Sequence, residues 1–542
     1  MRLLNAKTKR LEQFDGDEIP RYAILSHTWG KIEVTFQDIE QSGYQGGSTK
    51  IDGCCSQALV DKLEYAWIDT CCIDKSSSSE LSEAINSMWS WYKNADICYA
   101  YLADVPPGDR IEEEEGPAFR RSRWFTRGWT LQELIGPETV NFYDMTWAFL
   151  GEKSGSKKSA SFVEILTNIT SISAHYLRHG SAVRYASIAR RMSWAAGRDT
   201  TRVEDKAYSL LGIFDVNMPM LYGEGERAFK RLQEEIMKES DDESIFAWGI
   251  DKPTNGAVEV AFSLLASSPA DFSNCGNIIP SIPKGIHSAH YYMTNKGLYI
   301  QMSTRDLPID DVSSLALLNC TFAGATDSKS LALPLILSQN VKQCFSRPGL
   351  STPVLVSSEL FSLETRTKFY IHRNSPDWVD LYTCGFRVKS WLHGEATILD
   401  PTEFYPPTWR TILSHGFIWR QPGMMGRQQQ SILFLVETPG WPNIATRIDY
   451  TFHVDNWSLS PGGLQCRAAF TDASVSLAEI MIRSSANPGG IGDALDWQES
   501  LEVKDGQLGF SLDKPERNDS EEPWILNIEV CKKETKADTI SP

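Results

Sequence analysis

Three short apolar runs in the first hundred residues each end in side chains that can bind or react. Tyr22-Ala23-Ile24-Leu25-Ser26 leads into His27-Thr28-Trp29-Gly30, and Tyr65-Ala66-Trp67-Ile68-Asp69 leads into Thr70-Cys71-Cys72-Ile73-Asp74. Ile97–Leu102 leads into Ala103-Asp104, and Arg123, Trp124, Arg127 and Trp129 follow where the next segment begins. If the runs are parallel strands of one sheet, their carboxyl ends share an edge, and ligands of open parallel sheets sit outside that edge. A rim carrying Ser26, His27, Trp29, Asp69, Asp74, Arg127 and Trp129 can stack a flat base and hold an anionic linker on arginine. The residues alone leave a second reading open. In it, Asp69 and Asp74 are turn and N-cap residues while Trp29, Trp67 and Trp129 belong to the core.

The elements that would position this rim follow from periodicity. Val140–Tyr143 reads as a fourth strand. Leu81, Ala84, Ile85, Met88 and Tyr92 recur at helical spacing and predict a helix over about Glu80–Asn94. Arg123–Leu134 reads as another helix, stopped by Gly136-Pro137. Strands alternating with helices make residues 1–150 an α/β unit with a mostly parallel sheet. The acidic run Glu112–Glu115 lies between Pro106-Pro107-Gly108 and Gly116-Pro117 and reads as a solvated loop. Gly151–Ala160, rich in Lys, Ser and Gly, reads as a mobile connection.

Residues 151–255 read as a helical extension. Thr201 and Glu204 have capping-box spacing ahead of Ala207, Leu210, Leu211 and Phe214, and Glu226–Lys238 carries Phe229, Leu232 and Ile236 on one stripe. Residues 256–542 switch to β-branched, period-two text. Candidate strands are His290–Met302, Leu315–Phe322, Leu331–Leu337, Lys368–His372, Ser431–Glu437, Ile448–His453, Ser474–Ile482 and Trp524–Val530. Many strands without long helices predict a sandwich- or barrel-like region, divisible into two subdomains.

The chain has 542 residues, 42% hydrophobic and 23% charged, a globular composition long enough for two to four units of roughly 150 residues. Its 53 basic and 70 acidic residues give a net charge of −17, which argues against nucleic acid and anionic membranes as general partners. The longest apolar stretch, around Leu331–Leu337, is too short for a membrane span. The first residues lack the apolar core of a secretory leader, and eleven cysteines without any CxxC fit reduced thiols. A cytoplasmic location is the expectation.

Other motifs carry little. Gly151–Ser159 lacks the GK[ST] ending of a phosphate-binding loop. Gly223-Glu224-Gly225-Glu226-Arg227-Ala228 fits the loose GxGxxA pattern, yet its glutamates would repel a pyrophosphate, so it reads as a helix entry. His175 and His179 share a helix face with no further ligand nearby, so no metal site is expected. No GxSxG occurs.

The string YAILSHTWG, then WIDTCCIDK and SELSEAINSMWSWYKNADICYAYL, then RGWTLQEL, resembles the fungal heterokaryon-incompatibility (HET) domain. The segments TRVEDKAYSLLGIFDVNMPMLYGEGERAFKRLQEEI and SIFAW resemble the stretch that follows it. The resemblance covers about residues 1–250 and implies non-self recognition between fused fungal cells, ending in programmed cell death. More distantly, YAILSHTWG and WTLQEL are similar to the opening strand and the WCLxEL motif of plant Toll/interleukin-1-receptor (TIR) domains, which have a flavodoxin-like fold and act in innate immunity. In TIR domains that cleave NAD, the glutamate of that motif is catalytic. Carried over, that role falls on Glu133, with Thr130 standing where the motif has Cys. The second resemblance implies NAD as substrate with no resident cofactor, and self-association. Breaking the nicotinamide–ribose bond builds oxocarbenium character that a fixed carboxylate can stabilise. The alternative is a non-catalytic adaptor that oligomerises, answers to a receptor and recruits a death-executing partner.

Overall fold

The computed structural model describes residues 1–111, 117–250, 263–281, 290–306, 313–325, 329–337, 343–347, 353–361 and 366–373, and beyond these the strand backbones between Gly385 and Cys531. Glu112–Glu115, Ser474–Ile482 and their readings lie outside the described residues. The contacts divide the chain into two units, Met1–Ile245 with Ala266–Ile278, and Phe246–Leu265 with Ile279–Pro542.

The first unit is built on a mixed sheet. Its strands are β1 (Arg2–Asn5), β2 (Leu11–Gln13), β3 (Tyr22–His27), β4 (Tyr65–Trp67), β5 (Ile97–Tyr101), β6 (Val140–Tyr143) and β7 (Phe149–Lys153), in the order β2-β1-β4-β3-β5-β6-β7. The central four run parallel, with Ile24 opposite Trp67 and Cys98, and Cys98 opposite Val140. Antiparallel strands close both edges. Ala23, Ile24, Leu25, Ala66, Trp67, Tyr99 and Ala100 have no exposed surface, as expected of parallel strands covered on both faces.

The parallel crossovers contain α1 (Phe36–Ser42) and α2 (Thr49–Val60) between β3 and β4, α3 (Ser78–Asn94) before β5, and α4 (Thr130–Ile135) before β6. The Thr35 side chain caps α1 through a capping box with Asp38, and the Ser77 hydroxyl caps α3 by accepting from Glu80 N–H. Ala84, Ile85, Met88 and Tyr92 form the buried stripe of α3. The helical remainder comprises α5 (Ala160–Thr170), α6 (Ala174–Arg178), α7 (Ile188–Ser193), α8 (Asp205–Tyr208), α9 (Leu211–Phe214) and α10 (Arg227–Glu239).

Three local expectations need correction. The helix expected over Arg123–Leu134 is helical only from Thr130. Upstream, Gly128 N–H donates to Asp199 O at 2.8 Å and Asp199 N–H to Thr126 O at 2.7 Å, so a bridge to a distant segment takes the backbone that a helix would use. The connection expected over Gly151–Ala160 instead supplies the end of β7 and the entry to α5. Gly151 sits where a Cβ would lie 2.2 Å from the Phe162 ring, so close packing of strand and helix accounts for a residue that looked like linker composition. The capping box at Thr201 and Glu204 does not form. Glu204 leaves α8 without a side-chain cap and accepts instead from Gly223 N–H at 2.7 Å and Gly225 N–H at 3.0 Å. The loop amides that a dinucleotide would need are thereby taken by the chain's own carboxylate.

The second unit is strand-rich. Among the described residues, one sheet of eight strands spans Tyr292–Ile371, and sheets of six and four strands lie between Gly385 and Cys531. The run expected over His290–Met302 is a hairpin, Tyr292–Thr294 with Gly297–Met302. Lys329–Leu337, Thr367–Ile371, Gln428–Val436, Asn443–His453 and Trp524–Cys531 coincide with further expected strands, whereas the run expected over Leu315–Phe322 divides into Ser313–Leu317 and Cys320–Phe322, which join different sheets.

Candidate functional site

The parallel register brings two chain segments together at one end of the sheet. Ser26 and His27 end β3, and Asp69 follows β4 on the neighbouring strand. Ser26 has no exposed surface and His27 is 4% exposed. Asp69 ties this edge together: its Oδ1 lies 3.0 Å from His27 Nε2, and its Oδ2 accepts from Trp29 Nε1 at 2.8 Å. Burial raises the Asp69 pKa. Hydrogen bonding to His27, the His27 and Lys75 charges, and the Trp29 bond outweigh this and leave it below the ordinary carboxylate range. Lys75 Nζ stands 3.5 Å from the centroid of the Trp29 ring, a cation–π contact at the outer side of the rim.

Glu133 faces this edge from α4, a helix whose six residues are all buried. Trp124 Nε1 donates to Ser26 Oγ at 2.8 Å, and Ser26 Oγ donates to Glu133 Oε2. The result is an indole–hydroxyl–carboxyl relay through the interior. Burial pushes the Glu133 carboxyl up to about 8. The Asp69 charge adds to that shift, while the Ser26 bond, the Arg127 charge and Tyr92 oppose it. Near neutrality this carboxyl is mostly protonated and a small change in its surroundings can ionise it, the condition expected of a group whose charge is used.

Two buried basic side chains hold α4 in place. Arg198 NH1 donates to Arg127 O at 2.9 Å and to Thr130 Oγ1 at 3.0 Å, where the helix starts. Lys153 Nζ, with no exposed surface, donates to Leu134 O at 3.0 Å and to Pro137 O, where it ends. Together they satisfy backbone groups that a short helix leaves open. Thr130 contributes a hydroxyl that bonds back to the Trp124 and Arg127 carbonyls.

Of the eight residues read from the sequence, Ser26, His27, Trp29, Asp69 and Glu133 gather at this edge, and Arg127 is close enough to act electrostatically on Glu133. Asp74 turns to local work. It accepts from Gln37 Nε2 at 2.7 Å and from Ser76 N–H at 3.0 Å, ordering the entry to α3. Trp129 lies close enough to Asp205 to act on its carboxyl. Sequence reasoning missed Lys75, Tyr92 and Arg198 as contributors. Lys75 stands beside a singled-out aspartate, but nothing in the text connects Arg198 with a helix some seventy residues earlier. His175 and His179 stack edge to face at 5.6 Å, and the eight described cysteines are buried and unbridged.

Residues 22–117 match the family model "Heterokaryon incompatibility protein (HET)", and residues 227–304 match "Domain of unknown function (DUF8212)". Over 231 residues the chain is 46% identical to the "Vegetative incompatibility protein HET-E-1" of Podospora anserina, a stretch covering 41% of this chain and 16% of that relative. No solved structure matches. The matched HET segment begins at β3 and runs past β5, so it contains the Ser26–Asp69 edge and ends before Glu133. Over that segment, with those strands in that order, the chain is similar to the HET family.

Proposed function

We propose that the chain is an effector of vegetative incompatibility whose first unit cleaves NAD at the nicotinamide–ribose bond, with Glu133 as the catalytic carboxylate. The observation that carries this reading is the buried Glu133 carboxyl, held by Ser26 at the carboxyl end of a parallel sheet with its pKa near 8. The order of the parallel core also supports it. Numbered by appearance its strands run second, first, third, fourth, the start of the flavodoxin-like order, in which ligands sit at the point where the order reverses.

The chemistry follows from the environment. A cationic nicotinamide ribosyl group at the rim favours the ionised form of a carboxyl that is otherwise kept nearly neutral. Once ionised in a desolvated setting, Glu133 stabilises positive charge growing on the ribose more strongly than it would in water. Neutral nicotinamide leaves without needing a strong acid, and a water oxygen then bonds to the ribose carbon and releases a proton, giving ADP-ribose. Trp29, supported by Asp69 and Lys75, offers a face for a ring, and Arg127 offers charge for the phosphates. Self-association would complete the closure of the rim.

The test is expression in fungal hyphae of the full chain and of Glu133→Gln at equal protein levels, with cellular NAD and viability followed together. The proposal expects NAD depletion and death with the wild type, and neither with the variant. Death with an intact NAD pool in both cases would instead support the adaptor reading.

A further inference from the structure

The first unit contains a cavity of about 510 Å³ away from the Ser26–Glu133 edge, between the end of α3, the end of α4, α6, α7 and α9. Its lining is basic although the chain carries a net charge of −17. Lys93, Arg178, Arg184 and Arg191 face two carboxylates, Glu138 and Asp215, and none of the four cations is in an ion pair among the described residues.

Arg191 marks the site as built. It is 9% exposed, its NH1 donates to Ile213 O at 3.1 Å, and its guanidinium lies 4.6 Å from the centroid of the Phe214 ring. Its Nε has no hydrogen-bond partner, and neither has the buried Nε of Arg178. Asp242, whose charge acts on Arg191, is engaged by Ile188 N–H at 2.7 Å and Ser244 N–H at 2.9 Å. A desolvated guanidinium with an idle donor costs stability unless an anion completes it.

Parts of the wall are closely packed. A Cβ on Gly180 would lie 2.6 Å from Ile135 O, one on Gly136 2.8 Å from Gln132 O, and one on Gly212 2.0 Å from Trp89 Cβ. Trp89 also lines the cavity and supplies a flat apolar face. The volume falls within the range of small-molecule sites, roughly 300–1,000 Å³. We infer that this cavity binds a small phosphate ester carrying a flat ring, of the nucleoside-phosphate class. The phosphates meet Arg178, Arg191 and Lys93, and the ring lies against Trp89. Arginine forks suit phosphate oxygens, and an indole suits a base.

Calorimetric titration of the full chain with ADP and with inorganic pyrophosphate tests the assignment. Micromolar binding of ADP is expected, with pyrophosphate weaker by roughly tenfold for lack of a ring. Arg178→Gln combined with Lys93→Gln should weaken both probes by about a hundredfold, and Arg178→Lys should fall between that pair and the wild type. Equal ADP affinity in Glu133→Gln would separate this cavity from the proposed NAD site. Silence of both probes at millimolar concentration, or affinity unchanged in the double variant with its melting curve preserved, would overturn the site. Equal affinities for the two probes would overturn the flat-ring assignment.

Discussion

Glu133→Gln should make the first unit more stable at pH 8 and leave it nearly unchanged at pH 4. The wild-type carboxyl titrates near 4.5 when unfolded and near 8 in the folded chain, mainly because burial opposes its charge. The folded state therefore holds a proton that the unfolded state releases between those values. The stability that accompanies the neutral carboxyl is fully present below about 4.5 and is lost as pH rises toward 8, at about 1.4 kcal/mol per unit. Glutamine keeps an acceptor for Ser26 Oγ and carries no charge, so its advantage grows with pH to on the order of 4 kcal/mol. Protection of the β3 amides in hydrogen exchange, compared between the two proteins at each pH, reads this unit directly. No gain at pH 8, or the same gain at both pH values, would contradict a buried titrating carboxyl. A residue that weakens the fold at working pH is what a site tuned for chemistry looks like.

Asp69→Ala should cost about 3 kcal/mol at pH 7, because it removes the partner of a buried ring. His27 Nδ1 has no hydrogen-bond partner and Nε2 meets Asp69, so alanine leaves both nitrogens unsatisfied in a residue that is 4% exposed. The same change frees Trp29 Nε1 and removes the charge facing Lys75. Asp69→Asn keeps an acceptor and should cost less. Because the folded Asp69 pKa is depressed, the stability it contributes is present above the unfolded value of about 3.8 and is lost as pH falls below it. Urea unfolding at pH 7 and pH 3 reads both statements. Equal losses for Ala at the two pH values would show that Asp69 acts through shape alone.

The sequence made the parallel core legible because its strands are apolar runs, interrupted only by Asn141 in the last, that end in polar turns. Ser26, His27 and Asp69 came together for the same reason: register on adjacent parallel strands sets which residues share an edge. Glu133 was reachable only through the WTLQEL similarity, since its burial depends on Trp124, Arg198 and Lys153 arriving from separate elements. The false start of its helix at Arg123 has one source. Trp124, Phe125 and Leu131 mimic helical periodicity, whereas the Asp199 bridge that interrupts it is a long-range contact. The edge strands β1, β2 and β7 escaped notice because each is short and half-polar, without the continuous apolar text of the central four. Asp74 and Trp129 share the residue types of a binding rim, and the sequence gives no sign that Gln37 and Ser76 engage Asp74.

Nicotinamide released from NAD by the purified full chain, held at high concentration or fused to a forced oligomer, tests the central claim most directly. The account predicts release by the wild type that falls by at least about a hundredfold in Glu133→Gln, with the exchange experiment as the check on the variant's fold. Release at the same rate from both proteins, or no release from either under conditions where oligomers are demonstrated, would contradict it.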